Sequence, residues 1–425
     1  GDWRLETGSI ANRKSQIANR KSQIPMENIM KGQFAGRMAN VQKSFIRELL
    51  KVAQDPAIIS FAGGLPNPSY FPVEPLRRAA DKVLAQDGAN VLQYAPTLGY
   101  LPLREYIAQR YAQKTGLQIH PDEILITNGS QQGLDLVAKI LLGPGDEVIL
   151  EAPSYLGGIQ AFSLYQPQFR TVALHEDGVD LAQLSEAAAR DRAKLFYALP
   201  NFQNPSGITY SAAKREAAAR ILRENQVFFI EDDPYRELRF MGDDQPPISS
   251  FGRERGFLLG SFSKIVAPAL RMGWIVATPP NMDKLIIAKQ AADLHSNYVS
   301  QRILHQFLLD NDLDAHIGTI TAVYRRQREL MVAMLEECFP PEVSFTLPEG
   351  GMFLWVRLPE GVSSMDLFNE GVKANVVFVP GHPFYVDGSG QNTLRLNFSN
   401  TDEAHIETGM TRLAQALQNV MRQAS

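Results

Sequence analysis

Through the middle of the chain, short apolar runs alternate with helical stretches. ILIT at 124–127 precedes SQQGLDLVAKILL, and EVILEAP at 147–153 precedes a helical region after Tyr155. LFYALP at 195–200 precedes AAKREAAARILREN. VFFIED at 227–232, GFLLGSF at 256–262 and WIVAT at 274–278 follow. Runs this short and this continuously apolar read as strands buried on both faces. Joined by helices, they make an α/β architecture with a largely parallel sheet covered on both sides. A long helical region spans 282–337, and then the character changes. VSFTLPEGGMFLWVRLP reads as a hairpin, followed by a helix, VVFVPG and TLRLNFS. This α+β tail, about a hundred residues long, is the expected second domain.

The chain has 425 residues, more than one ordinary core holds, which agrees with two domains. The expected division is a segment over 26–60 that packs with the small domain, a large domain over 61–320 and a small domain over 321–425. A net charge of -4 argues against electrostatic nucleic-acid binding. Cys338 is the one cysteine, so an intrachain disulfide is impossible, and a reducing cytoplasm is expected. No apolar run is long enough to span a bilayer, and no signal-peptide h-region is seen. IANRKSQ occurs at 10–16 and again at 17–23. Two polar copies of this length cannot stack into a solenoid. They read either as a basic arm (Arg13, Lys14, Arg20, Lys21) or as a tract ahead of a start at Met26. Residues 1–25 are therefore set outside the expected fold.

In open α/β sheets, ligands bind beyond the carboxyl ends of the strands. The residues that follow the strands here are NGSQQG, SY, NFQNPSG, DDPY, SFSK and NFS. Gly129, Ser130 and Gln131 open a helix, whose free N–H groups and dipole suit a phosphate. Taken alone they read equally as an ordinary N-cap. Arg271, Ser261 and Ser263 offer a positive charge and hydroxyl donors to the same anion. Asp232 ends its strand. A metal site would want more His or Asp neighbours, and a dinucleotide site would want G-x-G-x-x-G. A counter-ion to a protonated ring nitrogen remains, with Tyr235 and Asn204 able to hydrogen-bond a phenolic oxygen. Asp233 competes with Asp232 for that role, and the tyrosine three positions on favours Asp232. Lys264 sits among serines just after a strand, placed to react. A phosphate, a ring nitrogen, a phenolate and a reactive lysine together describe pyridoxal 5′-phosphate. Lys264 would form the Schiff base, Asp232 would keep the ring nitrogen protonated, and Tyr155 would stack on the ring. Tyr155 reads alternatively as core packing.

N-P-x-G at 204–207, D-x-x-Y at 232–235 and S-x-S-K…R at 261–271 stand in one order and spacing. With them the chain resembles the fold-type-I pyridoxal-phosphate aminotransferases of class I/II, from about residue 30 onward. FAGGLPNPSYFP, LQYAPTLGYLPLREY, TNGSQQGLDL, EAPSYLGGIQAF, EDDPYREL, GGMFLWV and NTLRLNFS resemble the 2-aminoadipate and kynurenine branch. The resemblance implies an aspartate-aminotransferase-like large domain with a mostly parallel seven-stranded sheet. It implies that Arg395 binds the substrate α-carboxylate as a fork. It further implies that Tyr94 reaches the cofactor phosphate of a neighbouring subunit, hence a homodimer with shared sites, and that Gly63 and Gly64 line the substrate side. Ser44 and Arg47 match the helix that handles substrate side chains in 2-aminoadipate aminotransferases. Arg47 reads equally as a surface charge on an amphipathic helix over 40–53.

The expected reaction is a ping-pong transamination between an amino acid and a 2-oxo acid such as 2-oxoglutarate. Lys264 would act as general base and then general acid, supported by Asp232, Tyr235 and Asn204. Expected donors are 2-aminoadipate, glutamate, or leucine and aromatic types. Two rivals stand beside this reading. One is another enzyme of the same fold and cofactor, a β-lyase or a synthase. The other is an aminotransferase-like transcriptional regulator, which needs a winged helix that the polar repeat does not resemble.

Overall fold

The structure is a computed structural model that describes residues 34–38 and 55–424. In the unit formed by residues 1–41, the described part is a short 3-10 turn, Gly36–Met38. The repeat at 10–23 and the helix expected over 40–53, with Ser44 and Arg47, lie outside the described residues. Residues 55–424 belong to the second unit, which holds all the elements that follow.

Its principal sheet contains β2 (Ile124–Asn128), β3 (Glu147–Ala152), β4 (Gln168–His175), β5 (Gly178–Val179), β6 (Ala193–Ala198), β7 (Phe228–Asp232), β8 (Gly256–Ser261) and β9 (Met272–Val276). The strand order is β2-β9-β8-β7-β6-β3-β4-β5. The pairs β4/β3, β3/β6, β6/β7 and β7/β8 are parallel, while β9 runs antiparallel to both its neighbours. Against the expected seven strands there are eight, because the two-residue β5 closes a hairpin on β4. The sequence reading passed over β4. It is half-exposed for most of its length, so QFRTVALH lacks the solid apolar run of its neighbours.

Side chains alternate between two cores along the central strands, as the two-residue period of a strand requires. Val148, Leu150, Leu195 and Tyr197 join one core, whereas Ile149, Phe196 and Ala198 join the other. The helices of this region are α1 (Val73–Val91), α2 (Leu101–Thr115), α3 (Ser130–Leu141), α4 (Leu156–Ser163), α5 (Leu181–Ala188) and α6 (Ala212–Glu224). Leu184 and Ala188 of α5 and Ala218 and Leu222 of α6 complete the second core. The expected long helical region is three helices, α7 (Pro279–Asp293), α8 (Tyr298–Asp310) and α9 (Leu313–Cys338). Asp312 caps α9 by accepting from the Ala315 N–H at 3.0 Å.

A second, four-stranded sheet is ordered β10 (Ser344–Phe345), β11 (Phe353–Arg357), β14 (Thr393–Asn397), β13 (Val379–Pro380), with antiparallel pairs. It is accompanied by α10 (Ser364–Lys373) and α11 (Glu403–Ala424). On α11, Ile406, Met410, Leu413, Leu417 and Val420 recur at helical spacing and are all buried. Residues 59–60 form β1 (Ile59–Ser60), which pairs in parallel with β12 (Val376–Val377). Among the described residues no helix is long and apolar enough to cross a membrane.

The parallel strands end together, so Ala152, Ala198, Asp232 and Ser261 deliver their following loops to one edge. The antiparallel β9 fits there because Gly273 leaves room for the start of α3. A Cβ at Gly273 would stand 2.7 Å from the Gly129 carbonyl carbon and the Ser130 nitrogen. Gly273→Ala should therefore lower stability by about 1–3 kcal/mol, as overpacking does. Gly318→Ala, on an open stretch of α9 with nothing within 4 Å, should raise it by roughly 0.5–1 kcal/mol. Urea unfolding of both variants checks the pair, and a neutral Gly273→Ala would show that the α3 terminus is free to shift.

Candidate active site

Lys264 follows β8 in the turn that leads toward Arg271. Its Nζ donates to the Gly64 carbonyl at 2.9 Å and lies 5.9 Å from the centre of the Tyr235 ring. Burial pushes the ammonium down to about 8, and the positive charges of Arg395 and Arg271 push the same way.

Asp232 is the last residue of β7 and only 2% exposed. Its Oδ2 accepts from the Tyr197 hydroxyl at 2.9 Å, whereas its Oδ1 is buried with no hydrogen-bond partner among the described residues. Burial raises the carboxyl to about 7; the Tyr197 hydrogen bond opposes the rise and the Asp233 charge adds to it. The neighbouring Asp233 is engaged differently. It accepts from Asn201 Nδ2 and from Arg236 Nε, both at 2.7 Å. The two adjacent carboxylates are thus told apart by their partners, and the unpaired buried oxygen belongs to Asp232.

Arg395 lies in the middle of β14 and is 2% exposed. Its Nη1 donates to Asn204 Oδ1 at 2.8 Å and its Nη2 to the Ala62 carbonyl at 2.8 Å, while Nε has no partner among the described residues. The guanidinium stacks 4.3 Å from the Phe353 ring centre. Burial pushes it down to about 10. The other end of Asn204 donates from Nδ2 to the Tyr235 hydroxyl at 3.3 Å, and burial raises that phenol. Gly64 faces the same group, since a Cβ there would stand 3.4 Å from Phe353 and 3.9 Å from Arg395. Lys264, Gly64, Arg395, Asn204 and Tyr235 thus form one connected cluster.

A second cluster is built around the start of α3. Gly129 has a φ of 77°, a conformation that favours glycine, and a Cβ there would collide with the Arg271 guanidinium. Arg271 Nη2 donates to the Asn128 carbonyl at 3.0 Å and Nη1 to the Pro268 carbonyl at 3.3 Å. Ser130 is the first residue of α3, and Gln131 Nε2 donates to the Gly157 carbonyl at 2.8 Å, tying α3 to α4. Tyr155 stands immediately before the first residue of α4 and is half-buried. Ser261 and Ser263 share a hydroxyl hydrogen bond of 2.8 Å. Tyr94 stands apart, 79% exposed, with its ring edge-on to His295 at 5.8 Å.

The residues fit pyridoxal phosphate. The orphaned Oδ1 of Asp232 is a buried acceptor that a ring N–H would satisfy. A guanidinium against a glycine that opens a helix is a cradle for an anion. Two contacts escaped the sequence reading. Tyr197 was seen only as part of an apolar strand, although a tyrosine among buried strand residues needs a hydrogen-bond partner. Phe353, under Arg395, sits in GGMFLWV, where nothing but position marks it.

Residues 63–413 match the family model for aminotransferases of class I and II. A 2-aminoadipate transaminase from Thermus thermophilus is 43% identical over 92% of this chain and 97% of its own. An aromatic-amino-acid aminotransferase from Thermococcus litoralis is 38% identical over 92% and 95%. The crystal structure of an alpha-aminoadipate aminotransferase from Thermus thermophilus, complexed with N-(5'-phosphopyridoxyl)-L-leucine, superposes with a TM-score of 0.85. It is 42% identical and covers 92% of this chain and 98% of that one.

In the cofactor-free chain, reaction of Lys264 with an amine-directed reagent should follow a titration centred near pH 8. Removing a positive neighbour with Arg395→Met should move that midpoint upward. Because the folded value lies below the unfolded one, this lysine makes the folded chain gain stability as pH rises from about 8 toward about 10.4. Peptide-resolved labelling across pH checks both points, and a midpoint of a free lysine would refute them.

Proposed function

The chain belongs to the aminotransferases of class I and II and is a pyridoxal-phosphate-dependent transaminase of aspartate-aminotransferase-like fold; we propose that it draws its amino group from donors of the 2-aminoadipate and glutamate type, with leucine and aromatic donors as a second group. The observation that carries the proposed site is the Arg395–Asn204–Tyr235 chain beside Lys264, with Asp232 Oδ1 left unpaired. The donor class is supported by the likeness to the 2-aminoadipate transaminase, and the second group by the aromatic-amino-acid relative.

When bound, pyridoxal phosphate supplies an electron sink that acidifies the donor's Cα–H bond. Lys264 Nζ takes that proton and later returns it, and the burial that lowers its value favours the neutral amine that this task needs. Asp232 Oδ1 holds a proton on the ring nitrogen, and Tyr197 fixes the other carboxylate oxygen. Arg395 receives the α-carboxylate. Two of its guanidinium N–H groups are engaged by Asn204 and Ala62, which fixes the plane and leaves Nε free. Gly129, Ser130, Gln131, Ser261, Ser263 and Arg271 hold the phosphate, and Tyr155 stacks on the ring. Arg47 and Ser44 meet the donor side chain. A homodimer in the cytoplasm completes the reading, with the exposed Tyr94 serving the partner's phosphate. We keep the division into a large domain over 61–320 and a small one over 321–425 as part of the proposal. The transaminases named above, matched over 95% or more of their own length, favour transamination over the β-lyase, synthase and regulator readings.

The test is a half-reaction absorbance scan of the holoenzyme with single amino acids and no oxo acid. 2-Aminoadipate and glutamate should convert the cofactor fastest, ahead of leucine, phenylalanine, kynurenine and alanine. Arg47→Ala should slow the acidic donors about two- to fivefold and the apolar ones little. Equal losses for both groups would remove Arg47 from donor selection. Lys264→Ala should lower the rate by a factor of about 10²–10⁴ or more. Arg395→Ala should lower kcat/KM by roughly 2–5 kcal/mol of transition-state binding, since a buried charge pair loses one member. Full activity in either variant would refute its assigned role.

A further inference from the structure

We propose that Lys289 and Asp293, at the end of α7, are positioning residues for the phosphate end of the site. The inference rests on the reading of Gly129, Ser130 and Arg271 as the phosphate cradle. Neither residue is part of that cradle; both act through Asn128, the residue before Gly129.

Asp293 Oδ2 accepts three hydrogen bonds. They come from Asn128 Nδ2 at 2.7 Å, Gln132 Nε2 at 2.7 Å and Lys289 Nζ at 2.8 Å. The Lys289 ammonium is fully buried, and its three donors reach Asp293, Gln132 Oε1 at 2.8 Å and Ser296 Oγ at 2.9 Å. Gln132 Oε1 also takes the Asn128 N–H at 2.8 Å. Asn128 is therefore held by its side chain and by its N–H. Its carbonyl receives Arg271 Nη2 at 3.0 Å. The residue that orients both Gly129 and Arg271 is thus tied to this cluster on one side and to the cradle on the other.

A buried lysine is expensive unless all its protons are placed and its charge is matched. Here both conditions are met a few residues from the start of α3, where a rigid backbone decides how N–H groups point. Ser296 carries the network further. Its hydroxyl donates to the Ile126 carbonyl at 3.0 Å, and its own carbonyl accepts from His295 Nδ1 at 2.8 Å. His295 Nε2 in turn accepts the Ala95 N–H at 3.2 Å, beside Tyr94. One polar cluster thus braces both pieces of chain assigned to phosphate.

The experiment titrates the full-length, cofactor-stripped chain with pyridoxal phosphate and, separately, with pyridoxal, which lacks the phosphate. Asp293→Asn and Lys289→Met should each raise the Kd for pyridoxal phosphate by about tenfold or more, the scale seen when a ligand-orienting partner is lost. The Kd for pyridoxal should stay within about twofold of wild type, because the ring and lysine contacts are untouched. Equal weakening of both ligands, or no change in either, would overturn the proposal. Should Asp293→Asn fail to fold, Gln132→Met removes three of the same hydrogen bonds at a half-buried position, and the same pattern is required of it. The wild-type titration separates the two readings. A wild type that binds both ligands equally well would overturn the cradle and this inference with it; a wild type that prefers the phosphorylated ligand while the variants match it would overturn this inference alone.

Discussion

At the end of β7 a carboxylate leaves water with only one of its two oxygens paired. Asp232 is raised to about 7 chiefly by burial. Keeping it ionised at neutral pH costs on the order of 4 kcal/mol, at 1.36 kcal/mol for each tenfold change in the protonation equilibrium. A folded chain of ordinary stability carries such a cost only where the surrounding structure holds the group in place. Tyr197 on the adjacent strand does so for Oδ2. The free Oδ1 is then an acceptor aimed where a cation or an N–H would recover most of the cost. The lysine and the Asn204–Tyr235 pair come from loops that follow strands, and the arginine from the middle of β14.

Three consecutive carboxylates, Glu231, Asp232 and Asp233, are all buried, and each is kept to a separate task by its partners. Glu231 accepts from the Ile248 N–H at 2.8 Å and from the Ser249 N–H and hydroxyl at 2.9 and 2.8 Å, anchoring the loop ahead of β8. Asp233 binds Asn201 and Arg236. Asn201 also takes Arg215 Nη2 at 2.7 Å, and Arg215 reaches the Pro200 and Tyr210 carbonyls. On the far side, Glu151 accepts from Tyr210 at 2.7 Å and from Gln203 at 2.9 Å. The loop over 199–210, which carries Asn204, is thereby held at several points by buried polar partners. A network with this many placed partners rigidifies what it surrounds. Asn204 sits on a loop, yet the loop is held along its length by buried partners.

Strand tips were legible in the sequence because a fully buried strand must end in a polar turn, and these turns held unusual residues: SFSK, DDPY, NPSG. The fold class was legible for the same reason, through the apolar runs of β3, β6, β7 and β8. β4 was not, since a half-exposed strand next to the sheet edge dilutes the apolar signal that a central strand concentrates. Tyr197 and the Lys289–Asp293 pair were hidden for a different reason. Their meaning depends on which residue lies across a strand or beneath a helix, and one-dimensional spacing does not carry that. Tyr94 was legible as a motif, while among the described residues of one chain its ring meets the edge of His295 and is otherwise largely open.

Burial depresses Lys264, and the charges of Arg395 and Arg271 push the same way. Arg271 is exposed, so water screens its charge, whereas Arg395 is held by Asn204, Ala62 and Phe353. An anionic phosphate beside Arg271 and a carboxylate beside Arg395 would each relieve part of the repulsion among these charges. Ligands that bind only the folded state stabilise it by mass action. The charges that repel one another would therefore favour anionic ligands that bind the folded state.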